Sequence, residues 1–156
     1  HAVLAGEMSG HMFFADRYFG YDDAIYASCR LVEILAKTTR SLSALVADLP
    51  KTSVTPEIRV DVSDSIKFEL VRHVQKRLAD CAKTREELGP AKLVIRDAVT
   101  IDGVRAIFDD GWGLIRASNT QPALVLRFEA TSPERLATIR AVIEGELLAA
   151  KQALGC

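Results

Sequence analysis

The sequence predicts an α+β protein: an antiparallel sheet with two helices on one face, preceded by a segment that reads as part of another domain. Three observations predict it. Residues 57–62 alternate strictly, with Ile58, Val60 and Val62 on one side and Glu57, Arg59 and Asp61 on the other, which is the period of a half-buried strand. Residues 93–128 hold further apolar runs, punctuated by Asp102-Gly103, by Asp109-Asp110-Gly111 and by a polar hexapeptide, so they read as strands joined by hairpins. Two helical stripes frame those strands: Ile66, Leu70, Val74 and Leu78 before them, Leu136, Ile139, Ile143 and Leu147 after them. The order strand, helix, hairpin-linked strands, helix puts both helices against one face of one sheet.

Taken in order, the chain starts on Ala2-Val3-Leu4-Ala5, apolar on both faces with no cap or turn before it. Such a run belongs inside a sheet with neighbours, so the start reads as mid-domain. Residues 6–11, Gly-Glu-Met-Ser-Gly-His, form a polar loop whose glycines allow a sharp turn and a close approach to a ligand. Residues 12–14 read as a short strand. Asp22 is expected to cap a helix with Ile25, Ser28 or Cys29, Val32 and Leu35 as its apolar stripe. Asp22-Asp23 reads as capping chemistry rather than a metal site. Ser41 caps a second, short helix that stops by Pro50. Residues 51–56 lack apolar periodicity and mark the domain boundary, dividing the chain into 1–50 and 51–156.

In the second part, Asp64 or Ser65 is expected to cap the first long helix, and His73 lies on the flank of its stripe as a structural residue. Residues 82–90 read as a fraying helix end and a loop with no assigned role. Asp102-Gly103 signals a two-residue hairpin. Trp112 reads as half-buried packing near the sheet end rather than a platform for a sugar. Ser132-Pro133 opens the last helix, with a hydroxyl at the N-cap and proline at the first helical position.

The totals exclude several function classes. Lys plus Arg is 20 and Asp plus Glu is 21, for a net charge of −1. A general nucleic-acid or membrane-surface binder carries a basic patch, so any anion site here must be local. No run of 18 apolar residues and no charged leader with an apolar stretch is present in these residues. Cys29, Cys81 and Cys156 are widely spaced without metal-ligand spacing; they read as small apolar residues in a reducing cytoplasm.

The polar hexapeptide 117–122, Ala-Ser-Asn-Thr-Gln-Pro, sits between apolar runs 111–115 and 123–128, with Arg116 where the first run ends. Arg116 brings a planar five-donor fork; Ser118, Asn119 and Thr120 bring hydroxyl and amide donors. No carboxylate interrupts the run, so its local field favours an anion. Two readings stand on chemistry alone: an anion site, or an ordinary hairpin with a surface arginine.

Residues 111–130, Gly-Trp-Gly-Leu-Ile-Arg-Ala-Ser-Asn-Thr-Gln-Pro-Ala-Leu-Val-Leu-Arg-Phe-Glu-Ala, closely resemble the C-terminal phosphate-binding loop of the phosphohexomutases, the phosphoglucomutase/phosphomannomutase enzymes. Residues 6–11 resemble that family's sugar-recognition loop. The two motifs fall in the family's order, and the resemblance covers essentially the whole chain but only the last third or so of the family's length. It implies a four-stranded antiparallel sheet with two helices, similar to the TATA-binding-protein fold, for residues 51–156, and the end of the third, α/β domain for residues 1–50. The fold likeness does not imply DNA binding.

For the site, the resemblance implies that Arg116, Ser118, Asn119 and Thr120 hold the non-reacting phosphate. Glu7 and Ser9 contact sugar hydroxyls, His11 lies in the active-site cleft as a candidate catalytic residue, and Arg127 supports the loop. Met8 fits the glucose and mannose enzymes. The implied substrate is a hexose 1- or 6-phosphate, converted by an intramolecular phosphotransferase through a phosphoserine and a bisphosphate intermediate, with Mg²⁺ in the full-length enzyme. The serine and aspartate-rich metal loops of the family do not occur in these residues, so this chain is expected to bind no metal, to need the upstream domains as partners and to be inactive alone. The alternatives are a stand-alone phosphosugar-binding module and a nucleic-acid-binding domain.

Overall fold

The structure is a computed structural model that describes residues 2–7 and 9–155. The chain divides into two compact units, 1–50 and 51–156.

In the first unit, strand β1 (Leu4–Gly6) pairs antiparallel with β2 (Met12–Phe14), Leu4 opposite Phe14 and Gly6 opposite Met12. The apolar start is not enclosed: β1 is exposed along its length. Helix α1 (Ala24–Ala36) is capped by Asp23, whose carboxylate accepts from the Tyr26 N–H at 2.9 Å. The cap is thus one residue later than the sequence suggests, because the Asp22 backbone bridges Phe13 of β2. Tyr26 joins α1 to the hairpin, edge-on to Phe14 with centroids 5.6 Å apart and stacked on Tyr18 at 3.8 Å. Arg30 lies over the Phe14 ring at 4.8 Å. The inward face of α1 is therefore the Tyr26–Arg30 side. The expected apolar stripe points outward, with Ile25 80% and Val32 64% exposed and Cys29 exposed too; only Leu35 is half-buried. Helix α2 (Leu42–Leu45) is capped by Ser41, which accepts from the Ala44 N–H at 3.3 Å, as its sequence predicts.

The second unit is an antiparallel sheet under two long helices, the predicted class. Strands β3 (Ser53–Val54) and β4 (Ile58–Asp61) run along the same side of the last strand. Helix α3 (Lys67–Thr84) follows, then a small hairpin of β5 (Glu87–Leu88) and β6 (Leu93–Val94). Strands β7 (Asp97–Val99), β8 (Val104–Phe108), β9 (Gly111–Ala117) and β10 (Ala123–Ala130) complete the sheet, and α4 (Pro133–Leu154) closes it. The sheet has six strands where four are expected, in the order β3 and β4, β10, β9, β8, β7. The additions are short edge pieces. β3 lies within the segment that reads as a linker.

Between β3 and β4, Pro56 has no N–H to give. The ladder is carried past it by Thr55, which is buried: its N–H donates to the Phe128 carbonyl at 3.0 Å and its hydroxyl accepts from the Phe128 N–H at 3.1 Å. On the opposite edge, the Asp97 carboxylate accepts from the Ala98 N–H at 2.8 Å.

Among the described residues, the buried hydrophobic side chains all lie between Val62 and Ala150. Register places Val104, Ile115, Leu124, Leu126 and Phe128 on one sheet face, against Leu70, Val74 and Leu78 of α3 and Ile139, Ile143 and Leu147 of α4. Residues 82–90 are not a fraying loop: α3 continues to Thr84, and the rest forms the β5–β6 turn, tied back by Arg77 on Glu86 at 2.6 Å. The β7–β8 connection spans residues 100–103 rather than two residues. Gly103 there has φ +70°, and a Cβ on it would strike the Ile115 carbonyl and the Arg116 backbone, so only glycine fits. Ser132 caps α4 by accepting from the Arg135 N–H at 3.3 Å, with proline at the first helical position, as predicted.

Candidate functional site

The β9–β10 loop is closed by the Ser118 N–H, which donates to the Ala123 carbonyl at 2.9 Å. The Ser118 hydroxyl oxygen accepts from the N–H groups of Thr120 at 3.4 Å and Gln121 at 3.1 Å. That internal turn leaves the Ser118 O–H proton able to donate outward. Asn119 and Thr120 are exposed, and their side chains make no hydrogen bond among the described residues. The loop therefore presents unsatisfied donors to solvent on a fixed backbone.

The backbone is fixed from below. Lys67, the first residue of α3, is 3% exposed, and its ammonium donates to the Gln121 carbonyl at 2.8 Å. The same ammonium pairs with Asp64 at 2.6 Å and lies 5.0 Å from the Phe68 ring centroid. The Val62 N–H donates to the Pro122 carbonyl at 3.0 Å, and the Arg59 guanidinium donates to the Gln121 side chain. These contacts also correct the expected cap of α3. Asp64 serves Lys67 and Ser65 meets Ser63, while the Ser63 carbonyl takes the N–H groups of Ile66 and Lys67 at 3.1 and 3.0 Å.

Arg116 is on the sheet face away from the helices. Its guanidinium donates to Asp102 at 3.1 Å, with the two side chains 43% and 59% exposed. The loop's field is therefore not free of carboxylate: the β7–β8 connection brings Asp102 in from 14 residues away. Arg59 and Arg116 flank Val125 in register, and Arg127 shares their face opposite Leu114. Trp112 is half-buried on that face, and Arg105 covers its ring at 4.3 Å, so one ring face serves packing.

The other predicted site residues lie in the first unit. Between β1 and β2, the Glu7 N–H donates to the His11 carbonyl at 2.9 Å and the Gly10 N–H to the Glu7 carbonyl at 3.0 Å. Gly10 takes φ +92° to close this turn, whereas Gly6 is plain strand. The Ser9 hydroxyl donates to the Glu7 carboxylate at 2.9 Å, and both residues are exposed. His11 Nδ1 lies 2.5 Å from Asp22 Oδ2, and the other Asp22 oxygen accepts from the Met12 N–H at 3.3 Å. This hydrogen bond and the Asp22 charge raise the His11 pKa above its ordinary 6.5, with a smaller push from Glu7. Met8 lies outside the described residues.

Among the described residues, no group of three or more His, Cys, Asp or Glu side chains is arranged to hold a metal ion. The paired aspartates are committed elsewhere: Asp22 to His11, Asp23 to Tyr18 and the α1 cap, Asp109 to Arg96 and Asp110 to Arg135. This donor set does not fit Mg²⁺. Lys67, Asp102 and Asp22 are the residues that sequence reasoning missed. Only Lys67 left a signal, as a cation at the start of a helix where anions are favoured.

Comparison with known proteins identifies the family. The family described as phosphoglucomutase/phosphomannomutase, C-terminal domain, matches residues 57–146, and its alpha/beta/alpha domain III matches residues 1–53. A phosphomannomutase/phosphoglucomutase of Pseudomonas putida is 46% identical over 147 residues, covering 94% of this chain and 29% of that protein. A phosphoglucomutase of Neisseria gonorrhoeae is 41% identical over 147 residues, covering 92% of this chain and 29% of its own length. A crystal structure of a phosphoglucomutase/phosphomannomutase family protein from Burkholderia thailandensis superposes with a TM-score of 0.74 at 41% identity, over 96% of this chain and 29% of that one. The chain thus spans under a third of the length of these relatives, and with two family domains matched in sequence order it belongs to the phosphoglucomutase/phosphomannomutase family.

Proposed function

We propose that this chain supplies the phosphate anchor and the sugar contacts of an enzyme that interconverts hexose 1-phosphate and hexose 6-phosphate, through a phosphoserine and a bisphosphorylated sugar. One observation carries the reading: Arg116 adjoins a rigid loop whose Asn119 amide and Thr120 hydroxyl have no partner among the described residues. Arg116 provides the charged donor for the non-reacting phosphate, and Ser118, Asn119 and Thr120 provide neutral ones. An incoming phosphate takes Arg116 over from Asp102. Arg127 adds positive charge to the same face.

Glu7 accepts from vicinal sugar hydroxyls and Ser9 accompanies it. His11 takes the proton of the hydroxyl that attacks the phosphoryl group. The new O–P bond forms as the donor phosphoserine bond breaks, and its electron pair leaves on the serine oxygen. The serine and the Mg²⁺ that neutralises developing charge belong, in this reading, to the other domains of such an enzyme. The chain alone would then bind but not turn over. The free thiols of Cys29 and Cys81 fit a reducing cytoplasm, and no helix among the described residues is long and apolar enough to cross a membrane.

Titration of the isotopically labelled chain with glucose 1-phosphate tests this. NMR shifts should move at Ser118 to Gln121, with a dissociation constant near ~1 mM, about 4 kcal/mol of binding. Arg116→Ala removes a charged hydrogen bond worth about 1.5–3 kcal/mol and should weaken binding at least tenfold without altering folding. Unchanged binding by that variant sinks the assignment. A coupled mutase assay on the chain alone should read zero.

A further inference from the structure

His11 and Asp22 lie 11 residues apart in sequence and are brought together by backbone as well as by side chains. Asp22 bridges Phe13, the residue after Met12, and its carboxylate is held at two points: Oδ2 by His11 Nδ1 at 2.5 Å and Oδ1 by the Met12 N–H at 3.3 Å. A carboxylate only accepts, so the imidazole nitrogen facing it carries the proton. The other nitrogen, Nε2, makes no hydrogen bond among the described residues, on a side chain 53% exposed. Asp22 is not the helix cap; Asp23 does that work. Its carboxylate is thus committed to the loop rather than to α1.

We propose that Asp22 is a positioning residue for His11, fixing the tautomer with the proton on Nδ1 and leaving Nε2 as the atom that accepts and returns a proton. Two carboxylates face the imidazole, Asp22 from the segment before α1 and Glu7 from the β1–β2 loop, and both favour its protonated form. Asp22 dominates because it adds a direct hydrogen bond to its charge. Glu7 is engaged by the Ser9 hydroxyl and acts at longer range. In the neutral imidazole the lone pair is then on Nε2, and the carboxylate behind the ring makes that lone pair more basic. The proposal rests on the sugar-site reading only for what Nε2 serves; the pairing itself stands on geometry.

The test is a pH titration of the histidine ring resonances in the 156-residue chain. His11 should titrate above 6.5, and its neutral form should show Nδ1 protonated. Asp22→Asn keeps the shape and an acceptor oxygen but removes the charge; the His11 midpoint should fall back toward 6.5. Asp22→Ala should also release the tautomer, so that Nε2 becomes the protonated nitrogen, as in free histidine. A His11 midpoint that is the same in wild type and Asp22→Asn overturns the proposal, as does a wild-type neutral form protonated at Nε2. Glucose 1-phosphate separates the two readings. If the pairing is present but the His11 ring resonances ignore the ligand while Ser118 to Gln121 respond, Asp22 still positions His11 and the sugar role of this loop fails.

Discussion

The two candidate loops are both short polar turns between antiparallel strands, and they are supported in opposite ways. The β9–β10 loop stands on a closed core and is gripped through its Gln121 carbonyl by a lysine that is 3% exposed. The β1–β2 loop stands on nothing buried: none of the described residues of the first unit is buried, and large apolar side chains such as Phe19, at 82%, and Ile25, at 80%, are exposed. Its order comes from surface contacts, namely Asp22 on His11, Asp23 on Tyr18 and Glu33 between Arg17 and Lys37. A loop held by burial is sensitive to volume. One held by surface charge is sensitive to pH and salt, because exposed pairs are weak and screened.

The largest effect should come from the core. Phe128→Ala empties a site 1% exposed and should cost about 3–5 kcal/mol in urea unfolding. Ile25→Ala on α1, 80% exposed, should cost less than about 0.5 kcal/mol although the helical pattern of the sequence marks it as inward. Equal losses would erase the contrast. Lys67→Met comes next. It keeps the buried stem, deletes the bond to Gln121 and should cost about 1.5–3 kcal/mol, with lower affinity for glucose 1-phosphate. Unaltered affinity would show that the loop does not need this clamp.

A smaller effect is expected at Asp102→Asn, which frees Arg116 from a pair about half exposed. Pairs of that kind are worth about 0.2–1 kcal/mol, so phosphate affinity should rise by up to about fivefold, less in high salt. A fall in affinity would mean that Asp102 orients Arg116 rather than competing for it. The smallest is Glu33, held down to about 2 by Arg17 first and then Lys37. Its folded-state pKa is depressed, so its contribution is present above the ordinary carboxylate value and is lost as pH falls toward about 2. A carboxyl titration by NMR should find this midpoint, and Lys37→Met should raise it less than Arg17→Met.

What was legible in the sequence was what is local or periodic. The β9–β10 hairpin shows itself because two apolar runs bracket a polar one, and Ser41 and Ser132 are readable caps because an N-cap answers to residues two or three positions on. The alternation at Ile58 and Val60 likewise reports its own sheet face. What was hidden depends on partners far along the chain. Asp102 reaches Arg116 only through a glycine-dependent connection, and Lys67 is buried only because residues 121 and 122 return over it. Asp22 and Asp23 are adjacent and chemically alike; which of them caps was decided by the bridge to Phe13. The α1 stripe misled for a different reason. Periodicity marks a side that avoids water in some packing, but not one that the described residues supply.

The Thr55–Pro56 step and the Asp97 carboxylate have a consequence for how this protein meets copies of itself. A sheet edge with free N–H groups is a template for strand addition from another molecule. Here one edge is interrupted by a proline and the opposite one is three residues long, with its Ala98 N–H already taken by Asp97. An incoming strand would find too few aligned donors on either edge to form a ladder. Intermolecular pairing of the sheet is therefore disfavoured. Self-association at high concentration should start instead at the uncovered apolar side chains of the first unit, such as Phe19, Ile25 and Val32, through sticky side chains rather than through backbone.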